Sequence, residues 1–453
     1  MQHNHPSPFL QSIPLFVAYI AYPFFFFFLS SDGTPHLPEL QWFTWTALAV
    51  FPIFYGIFFG FPGQKNQKVS PPANLIGAFS LILLCFLTTA FFHYMLLPVL
   101  MKHPVASAIL LEASPVACVL FGLLWCLCFG IPTRRQFVIY GTFLTFFIYY
   151  TAVWTIDTFH PTALLDLTAH AGGAKTISLL LLISLGCSIP EKNMHTPWYM
   201  HICRAVLIFG VILTLHRPAL FLMAWIILAF SQMDKKTRFI IPLFILGVFA
   251  ATYFLVTDQT LVLERIINRF YWYVGTSILF SNPTELITGF PLGEALPIDA
   301  RYLLLINLPT QGLGVTVADI PIFWLRFMLT WGVPATLALL FLGGSILYKA
   351  RSAGASAVTA AMIFMGLTQP VFYAPEQGIP LLIALFAVFA ADRIVSEEPP
   401  NETKEDVAPT QGTENEETLG DVTLNSSTKE KENIPRTEVP FSGTVMIRPS
   451  TAT

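Results

Sequence analysis

The stretch 105–130, VASAILLEASPVACVLFGLLWCLCFG, decides the fold class of this chain. Its only charged side chain is that of Glu112. A helix needs about 20 apolar residues to cross the hydrocarbon core of a bilayer. Core helices of soluble domains average only about 10–14 residues. The stretch therefore predicts a transmembrane helix.

Comparable apolar runs recur along the chain and predict a bundle of about twelve transmembrane helices. The predicted spans are 14–30, 42–61, 73–98, 105–130, 137–156, 174–190, 199–215, 218–232, 239–257, 321–347, 355–372 and 378–392. The composition agrees, because 55% of the residues are hydrophobic and only 11% are charged, against roughly 25% charged in soluble proteins. This excludes a soluble globular enzyme, and it excludes a nucleic-acid binder, which needs a basic surface.

Basic residues orient the predicted bundle. With the N-terminus in the cytoplasm, twelve basic residues fall in the inner connections, whereas the short outer connections and their borders hold only Lys102, Lys175 and Arg217. The inner ones are Lys65, Lys68, Arg134, Arg135, Lys192, Arg204, Lys235, Lys236, Arg238, Lys349, Arg351 and Arg393. This is the positive-inside pattern. It predicts a multi-pass protein of the cytoplasmic membrane with both termini inside.

The chain divides into four predicted parts. Residues 1–257 hold spans one to nine, 258–320 form a long outer loop, 321–395 hold spans ten to twelve, and 396–453 form a tail. The tail has 12 acidic and 5 basic residues and almost no aromatic ones. Such a composition cannot bury enough apolar surface to offset its ordering entropy, so we expect a disordered cytoplasmic segment.

No cofactor or metal site is predicted. The sequence has no GxxxxGK[ST] phosphate loop and no HExxH, and Cys126 and Cys128 lack a partner pair at zinc-finger spacing. The six cysteines lie in or beside apolar runs, which favours buried, unreactive thiols.

Charged residues at the predicted outer boundary are the candidates for a site. Arg217 lies at the mouth between spans seven and eight, where it either snorkels to the interface or binds a diphosphate through a bidentate fork. Arg265 and Arg269 lie four residues apart, on one face of a helix if one forms there. The aromatics that follow are either interfacial anchors or a platform for sugars. Gly289-Phe-Pro-Leu-Gly293 predicts a turn.

Two further charges lie just inside predicted spans. Arg326, about one turn inside span ten, should face the bundle interior, where it binds substrate or forms a salt bridge with Asp319 or Glu294. Glu112 lies near the outer end of span four, where Lys102 and Lys175 are candidate partners.

The pattern resembles the O-antigen ligase/polymerase family of bacterial membrane glycosyltransferases. The long outer loop between spans nine and ten resembles that family's topology. Leu-His216-Arg217-Pro-Ala-Leu is similar to its Ser-Arg-Gly/Ala element opening a span. Arg269-Phe-Tyr-Trp272, Gly289-Phe-Pro-Leu-Gly293, Leu325 and Trp331-Gly332-Val-Pro334 follow the order of its Arg…Trp…Gly-x-Gly…Leu…Gly-[Leu/Ile/Val]-[Pro/Gly] run.

The resemblance implies a lipid-dependent glycosyltransferase fold and an activity at the periplasmic face. The donor would be a glycan on undecaprenyl diphosphate, and the acceptor a sugar hydroxyl on lipid A core, another lipid-linked repeat or a protein. The transfer would be inverting and independent of metal, since arginines supply the positive charge. The diphosphate ligands would be Arg217, Arg265, Arg269 and Arg326; the acceptor and sugar contacts would be Tyr271, Trp272 and Arg301.

The chain departs from the family pattern at one position. Members carry a His-Asn pair eleven residues ahead of the glycine of the last motif, but counting back from Gly332 gives Pro321 and Ile322. Asp319 could accept the proton of the acceptor hydroxyl instead, since a carboxylate within hydrogen-bond reach acts as a general base. Glu294 is a second candidate.

Two other classes of function stay open. A secondary transporter or lipid flippase also commonly has about twelve spans, although residues 1–190 and 199–392 show no internal similarity. A non-enzymatic assembly component would use the acidic tail as its interaction element.

Overall fold

The described part of the chain is helical in the computed structural model. The structure describes residues 8–24, 37–59, 112, 114–157, 173–190, 197–214, 216–230, 240, 243–245, 247, 271–290, 295–298, 315–317, 320–350 and 352–397. Within these ranges there is no β-strand, and Ala295 and Thr316 form an isolated antiparallel bridge. The predicted all-α class is confirmed for these residues.

The helices are numbered here in chain order. They are α1 Pro8–Phe16 with a π-helical turn Val17–Ala21, α2 Leu37–Phe59, α3 Ser114–Phe129, α4 Arg134–Asp157, α5 Gly173–Ser188, α6 Trp198–Leu213, α7 Arg217–Phe230, α8 at 271–281, α9 Pro283–Thr288, α10 Phe323–Lys349, α11 Ala353–Met365 and α12 Pro375–Glu397. The chain divides into Met1–Pro399 and Pro400–Thr453, and all described residues lie in the first unit.

Helices lie at the predicted apolar segments wherever the structure describes them. The segment 73–98 lies outside the described residues, and 239–257 lies mostly outside them. The helix predicted at 355–372 ends earlier, at Met365. A turn follows, and Pro370 within it has no N–H to continue a helix.

Helix length supports part of the predicted architecture. Among the described residues, Phe323–Tyr348 is the one helix long and apolar enough to cross a membrane by itself. Ser114–Phe129 and Arg134–Tyr150 meet that requirement together, but they are bent by 120° at the break between them. The other apolar helices are shorter, 10–17 residues each. The helices alone therefore do not establish twelve spans.

Helix α5 is the centre of the bundle. Residues 176–189 are all buried, and α5 packs against α4, α6, α7, α11 and α12. The first helical segment also reaches it, since the Tyr19 hydroxyl donates to the Leu180 carbonyl oxygen at 3.0 Å and accepts from Ser184 Oγ at 3.1 Å. A helix that is apolar on all sides suits this central position.

The two ends of α5 meet different groups. At its C-terminal end, Arg134 Nη2 donates to the Ile189 carbonyl oxygen at 2.7 Å and Arg204 Nη2 to that of Ser188 at 2.6 Å. These cations satisfy carbonyls that a helix end leaves unpaired. We call this the arginine end of the bundle.

Near the N-terminal end of α5, Gln377 at the start of α12 donates to Thr176 Oγ1 at 2.8 Å. His216, just before α7, lies 3.0 Å from Ser178 Oγ. We call this the polar end. The turn 366–374, which leads into α12, also lies at this end. Its Gln369 carbonyl oxygen accepts from the Phe323 N–H at the start of α10.

Helix α10 packs between the bundle and the segment that precedes it. Leu325 and Leu329 belong to a small apolar cluster with α8 and its neighbours, whereas Phe323, Phe327 and Trp331 belong to the main core. One face of α10 therefore packs on the described part of the predicted outer loop, and another face packs on the bundle.

Two glycines allow the closest part of this contact. Gly332 interrupts α10 at φ +81° and ψ 169°, a region that is essentially restricted to glycine. A Cβ there would collide with the Ile287 carbonyl oxygen, and a Cβ on Gly289 would collide with that of Thr330. The Phe290 N–H donates to the Leu329 carbonyl oxygen at 2.7 Å. Gly289 and Phe290, the first two residues of the predicted glycine turn, thus pack directly on the kink in α10. Residues 291–293 lie outside the described ranges.

We expect Gly332→Ala to lower the free energy of unfolding by at least about 1–3 kcal/mol, the usual cost of such a backbone strain. Gly344→Ala is the matched control, since a Cβ there meets no atom within 4 Å. Thermal unfolding of the full chain in detergent micelles measures both. Equal unfolding temperatures for the two variants would contradict the contact described here.

Candidate functional site

A buried ion pair forms the centre of the candidate site. Glu112 is 1% exposed and Arg326 is 7% exposed. Arg326 Nη2 lies 2.7 Å from Glu112 Oε1, and Nε donates to the same oxygen at 2.9 Å. The pair joins the start of α3 to the first turn of α10. Each charge would be costly to bury alone, so each requires the other.

Two further side chains complete this group. The Tyr373 ring stacks on the guanidinium of Arg326, with Cζ 3.9 Å from the ring centroid, which is a favourable cation–π geometry. Thr330, one turn beyond Arg326, places Oγ1 3.4 Å from Glu112 Oε2. Burial raises the pKa of Tyr373 well above its usual value, and the charge of Glu112 raises it further. The phenol therefore stays protonated.

The predicted outer segment contacts α10 beside this group. Tyr271 is buried in the small apolar cluster. Trp272 is half-buried, and its Nε1–H donates to the Leu367 carbonyl oxygen at 3.2 Å. The backbone around Gly289 packs on residues 329–332 of α10. The structure thus brings Tyr271, Trp272 and Gly289 to the helix that carries Arg326.

Arg217 lies at the first position of α7 and is half-buried. Its neighbour His216 is half-buried as well, with Nδ1 3.0 Å from Ser178 Oγ. Since Ser178 donates its hydroxyl hydrogen to the Lys175 carbonyl oxygen, the geometry favours a hydrogen on Nδ1. Burial, aided by the charge of Lys175, lowers the pKa of His216 to about 3, so the ring is neutral at physiological pH.

The remaining predicted site residues lie outside the described ranges. They are the carboxylates Glu294 and Asp319 and the arginines Arg265, Arg269 and Arg301. Their assignments stay predictions.

Sequence reasoning missed the group that the structure places at the centre. Glu112 was paired with Lys102 or Lys175, and Arg326 was given a phosphate or the carboxylates of Asp319 and Glu294. A signal was available, because an ionisable residue inside an apolar segment indicates a functional or paired site. It does not identify a partner more than 200 residues away.

No family model, no curated protein and no solved structure matches this chain.

The ion pair predicts strong coupling between two substitutions. Glu112→Leu and Arg326→Met should each lower the free energy of unfolding by about 3–5 kcal/mol, because each leaves a buried charge uncompensated. The double variant should lose much less than the sum, since both charges are then gone. Denaturant unfolding in mixed micelles measures all four proteins. Additive losses would contradict direct pairing.

His216 predicts a pH dependence of stability. Its folded pKa of about 3 lies below its usual value of 6.5, so its contribution is fully present above about pH 6.5 and is lost as the pH falls towards 3. The unfolding temperature of the wild-type protein should therefore fall more between pH 6.5 and pH 4 than that of His216→Asn. His201→Asn, at an exposed position of α6, controls for the loss of a histidine. Parallel curves for wild type and His216→Asn would refute the assignment.

Proposed function

We propose that the protein is a multi-pass membrane glycosyltransferase of about twelve spans. It transfers a glycan from undecaprenyl diphosphate to a sugar hydroxyl at the outer face of the cytoplasmic membrane. One observation carries the proposal. The motif segments that resemble the O-antigen ligase/polymerase family, at 271–272, 289–290, 325 and 331–334, pack together on α10 beside a buried arginine.

The outward surface of the helices supports a location in a membrane. On α4, a stripe at helical spacing is exposed although it is apolar, formed by Ile139, Phe143, Phe146 and Tyr150. The opposite face, including Phe137, is buried. Exposed apolar surface of this extent requires a partner, and lipid chains are the partner that fits an entire bundle.

The two ends of the bundle support the proposed orientation. The arginine end gathers Arg134 and Arg204, two of the basic residues that the positive-inside pattern places in the cytoplasm. The polar end gathers Glu112, His216 and Tyr373, which that pattern places outside. In an alternating topology, successive helices run in opposite directions. The groups at the two ends therefore lie on the sides that such a topology predicts.

The arginine end also argues for access from one side. Arg134 donates through Nε to the Cys187 carbonyl oxygen as well as to that of Ile189, and Gly354 at the start of α11 packs on its guanidinium. These contacts tie the ends of α4, α5 and α11 together. An enzyme that works at one face needs no opening there, whereas an alternating-access transporter does.

Transfer itself would use residues of the outer loop together with Arg217 at the start of α7. Arg269 and Arg217 stabilise the diphosphate as the glycosidic bond to it breaks, because guanidinium groups bind phosphate oxygens in a bidentate manner. Asp319 takes the proton from the acceptor hydroxyl as its oxygen forms the new bond to the anomeric carbon. Attack from the side opposite the leaving diphosphate inverts the anomeric configuration.

A transporter or flippase is the second candidate, and one observation favours it. Glu112 and Glu376 are carboxylates buried inside the bundle, at 1% and 7% exposure. Buried carboxylates in membrane proteins commonly belong to proton or ion pathways. Flux measurements on reconstituted vesicles distinguish this function from transfer.

The test of the proposed function uses the full chain in nanodiscs with a purified undecaprenyl-diphosphate glycan and a glycan acceptor. Arg269→Ala should abolish transfer, because the leaving group loses its charge stabilisation, while membrane insertion stays intact. Arg393→Ala, on the predicted cytoplasmic side, is the matched control and should transfer as the wild type does. Normal transfer by Arg269→Ala would remove the phosphate role. No transfer by the wild type, together with proton-coupled flux, would favour the transporter.

A further inference from the structure

One side of the segment 271–290 is exposed although it is apolar. Helix α8 buries side chains such as Val274 in the small apolar cluster, whereas Phe280 is 77% exposed and Tyr273 is 62% exposed. On α9, Ile287 is 64% exposed. Residues seven positions apart, such as Tyr273 and Phe280, lie on the same face of a helix. Helix α8 therefore has two apolar faces, one buried against the protein and the other exposed.

The polar side chains of α8 form hydrogen bonds with their own helix. Thr276, Ser277 and Ser281 each donate their hydroxyl hydrogen to a carbonyl oxygen three or four residues earlier, at 2.7, 2.9 and 2.8 Å. The Asn282 amide nitrogen, just after the helix, does the same at 2.7 Å. A hydroxyl bound in this way does not depend on water for a hydrogen-bond acceptor. The exposed face of α8 is therefore less polar than its serines suggest.

Charge is nearly absent from this segment. Glu285 is the one charged residue among positions 271–290, and it is half-buried on α9. A carboxylate is costly among acyl chains, whereas near the headgroups of a bilayer it reaches water. Tyrosine favours the same boundary between headgroups and acyl chains, because its ring is apolar and its hydroxyl is polar. The exposed face therefore fits the outer part of a bilayer leaflet.

The exposed face adjoins an exposed apolar stripe on α10. Among the described residues, α10 is the one helix that is long and apolar enough to cross a membrane by itself. Leu337 and Phe341, one turn apart on its second half, are 59% and 77% exposed. Gly332, five residues before Leu337, packs directly on the Ile287 carbonyl oxygen of α9. When α10 crosses a bilayer, its stripe faces lipid, and the exposed face of α9 lies next to it.

We propose that Tyr273, Phe280 and Ile287 form a lipid-docking face, through which the segment 271–290 lies on the phospholipid acyl chains of the outer leaflet. The assignment rests on the membrane location in the proposed function and specifies it, because a part of the predicted outer loop is assigned to the membrane surface. Arg269 precedes α8 by two residues. Docking keeps this arginine near the headgroups, which is the level of a lipid-linked diphosphate.

Photocrosslinking of the full chain in vesicles tests this face. The photoreactive residue p-benzoylphenylalanine replaces Phe280, and the vesicles contain phosphatidylethanolamine and phosphatidylglycerol without any polyprenyl lipid. The new side chain contains the phenylalanine ring, and the position is 77% exposed, so the fold should tolerate the replacement. We expect illumination to attach a phospholipid to the protein, which is measured as an increase in the intact mass.

Two other phenylalanines provide matched controls, each replaced in the same way. Phe341, on the exposed stripe of α10, should give a phospholipid adduct in similar yield. Phe441 lies in the acidic tail, whose composition predicts a disordered segment in water. It should give little or no phospholipid adduct. The yield at Phe280 should therefore match that at Phe341 and clearly exceed that at Phe441.

Three results would overturn the lipid-docking face. They are a phospholipid yield at Phe280 no higher than at Phe441, a crosslink from Phe280 to a second copy of the chain, and an adduct that forms only after undecaprenyl phosphate is added to the vesicles. An adduct at Phe341 but not at Phe280 removes the docking face and leaves the proposed function standing. Absence of an adduct at both positions contradicts the membrane location itself, and the proposed function then fails as well.

Discussion

The constraint on which the rest of the structure depends is the burial of two opposite charges in an apolar bundle. A guanidinium at the position of Arg326 is tolerated only with a carboxylate in direct contact, and Glu112 supplies it from more than 200 residues away. This pairing places the start of α3 against the first turn of α10. The ring of Tyr373 covers the open side of the guanidinium, which also places the turn before α12. Three distant segments are therefore positioned by one interaction.

The kink at Gly332 positions a further segment, residues 271–290, on the other side of α10. Without a Cβ at Gly289 and Gly332, two backbones approach closely enough for a direct hydrogen bond between residues 290 and 329. The segment 271–290 is thereby held against the helix that carries the ion pair. With a continuous, straight α10, side chains would separate this segment from the helix backbone. The kink therefore determines how near the aromatic residues lie to the buried charges.

Features that neighbouring residues determine could be predicted from the sequence, whereas contacts between distant residues could not. Helices such as α4 and α5 could be predicted because length and apolar composition are local properties. The early end of α11 was missed, since the apolar run continues past Gly366, although Pro370 in that run cannot continue a helix. Arg326 was correctly expected to face the interior, but its pairing with Glu112 was not predicted, because pairing at long range leaves no local pattern. Arg217 and Trp272 were named as site residues, and their chemical roles stay predictions.

The contrast between the two ends of α5 bears most directly on function. At the arginine end, Arg134 and Arg204 each bind carbonyl oxygens at the end of α5. At the polar end, amide atoms of Gln369 and Gln377 and the hydroxyl of Ser114 are buried without hydrogen-bond partners in the part of the chain that the structure describes. Burying such a group unpaired costs about 1–3 kcal/mol, so an apolar side chain of the same shape would be more stable at these positions.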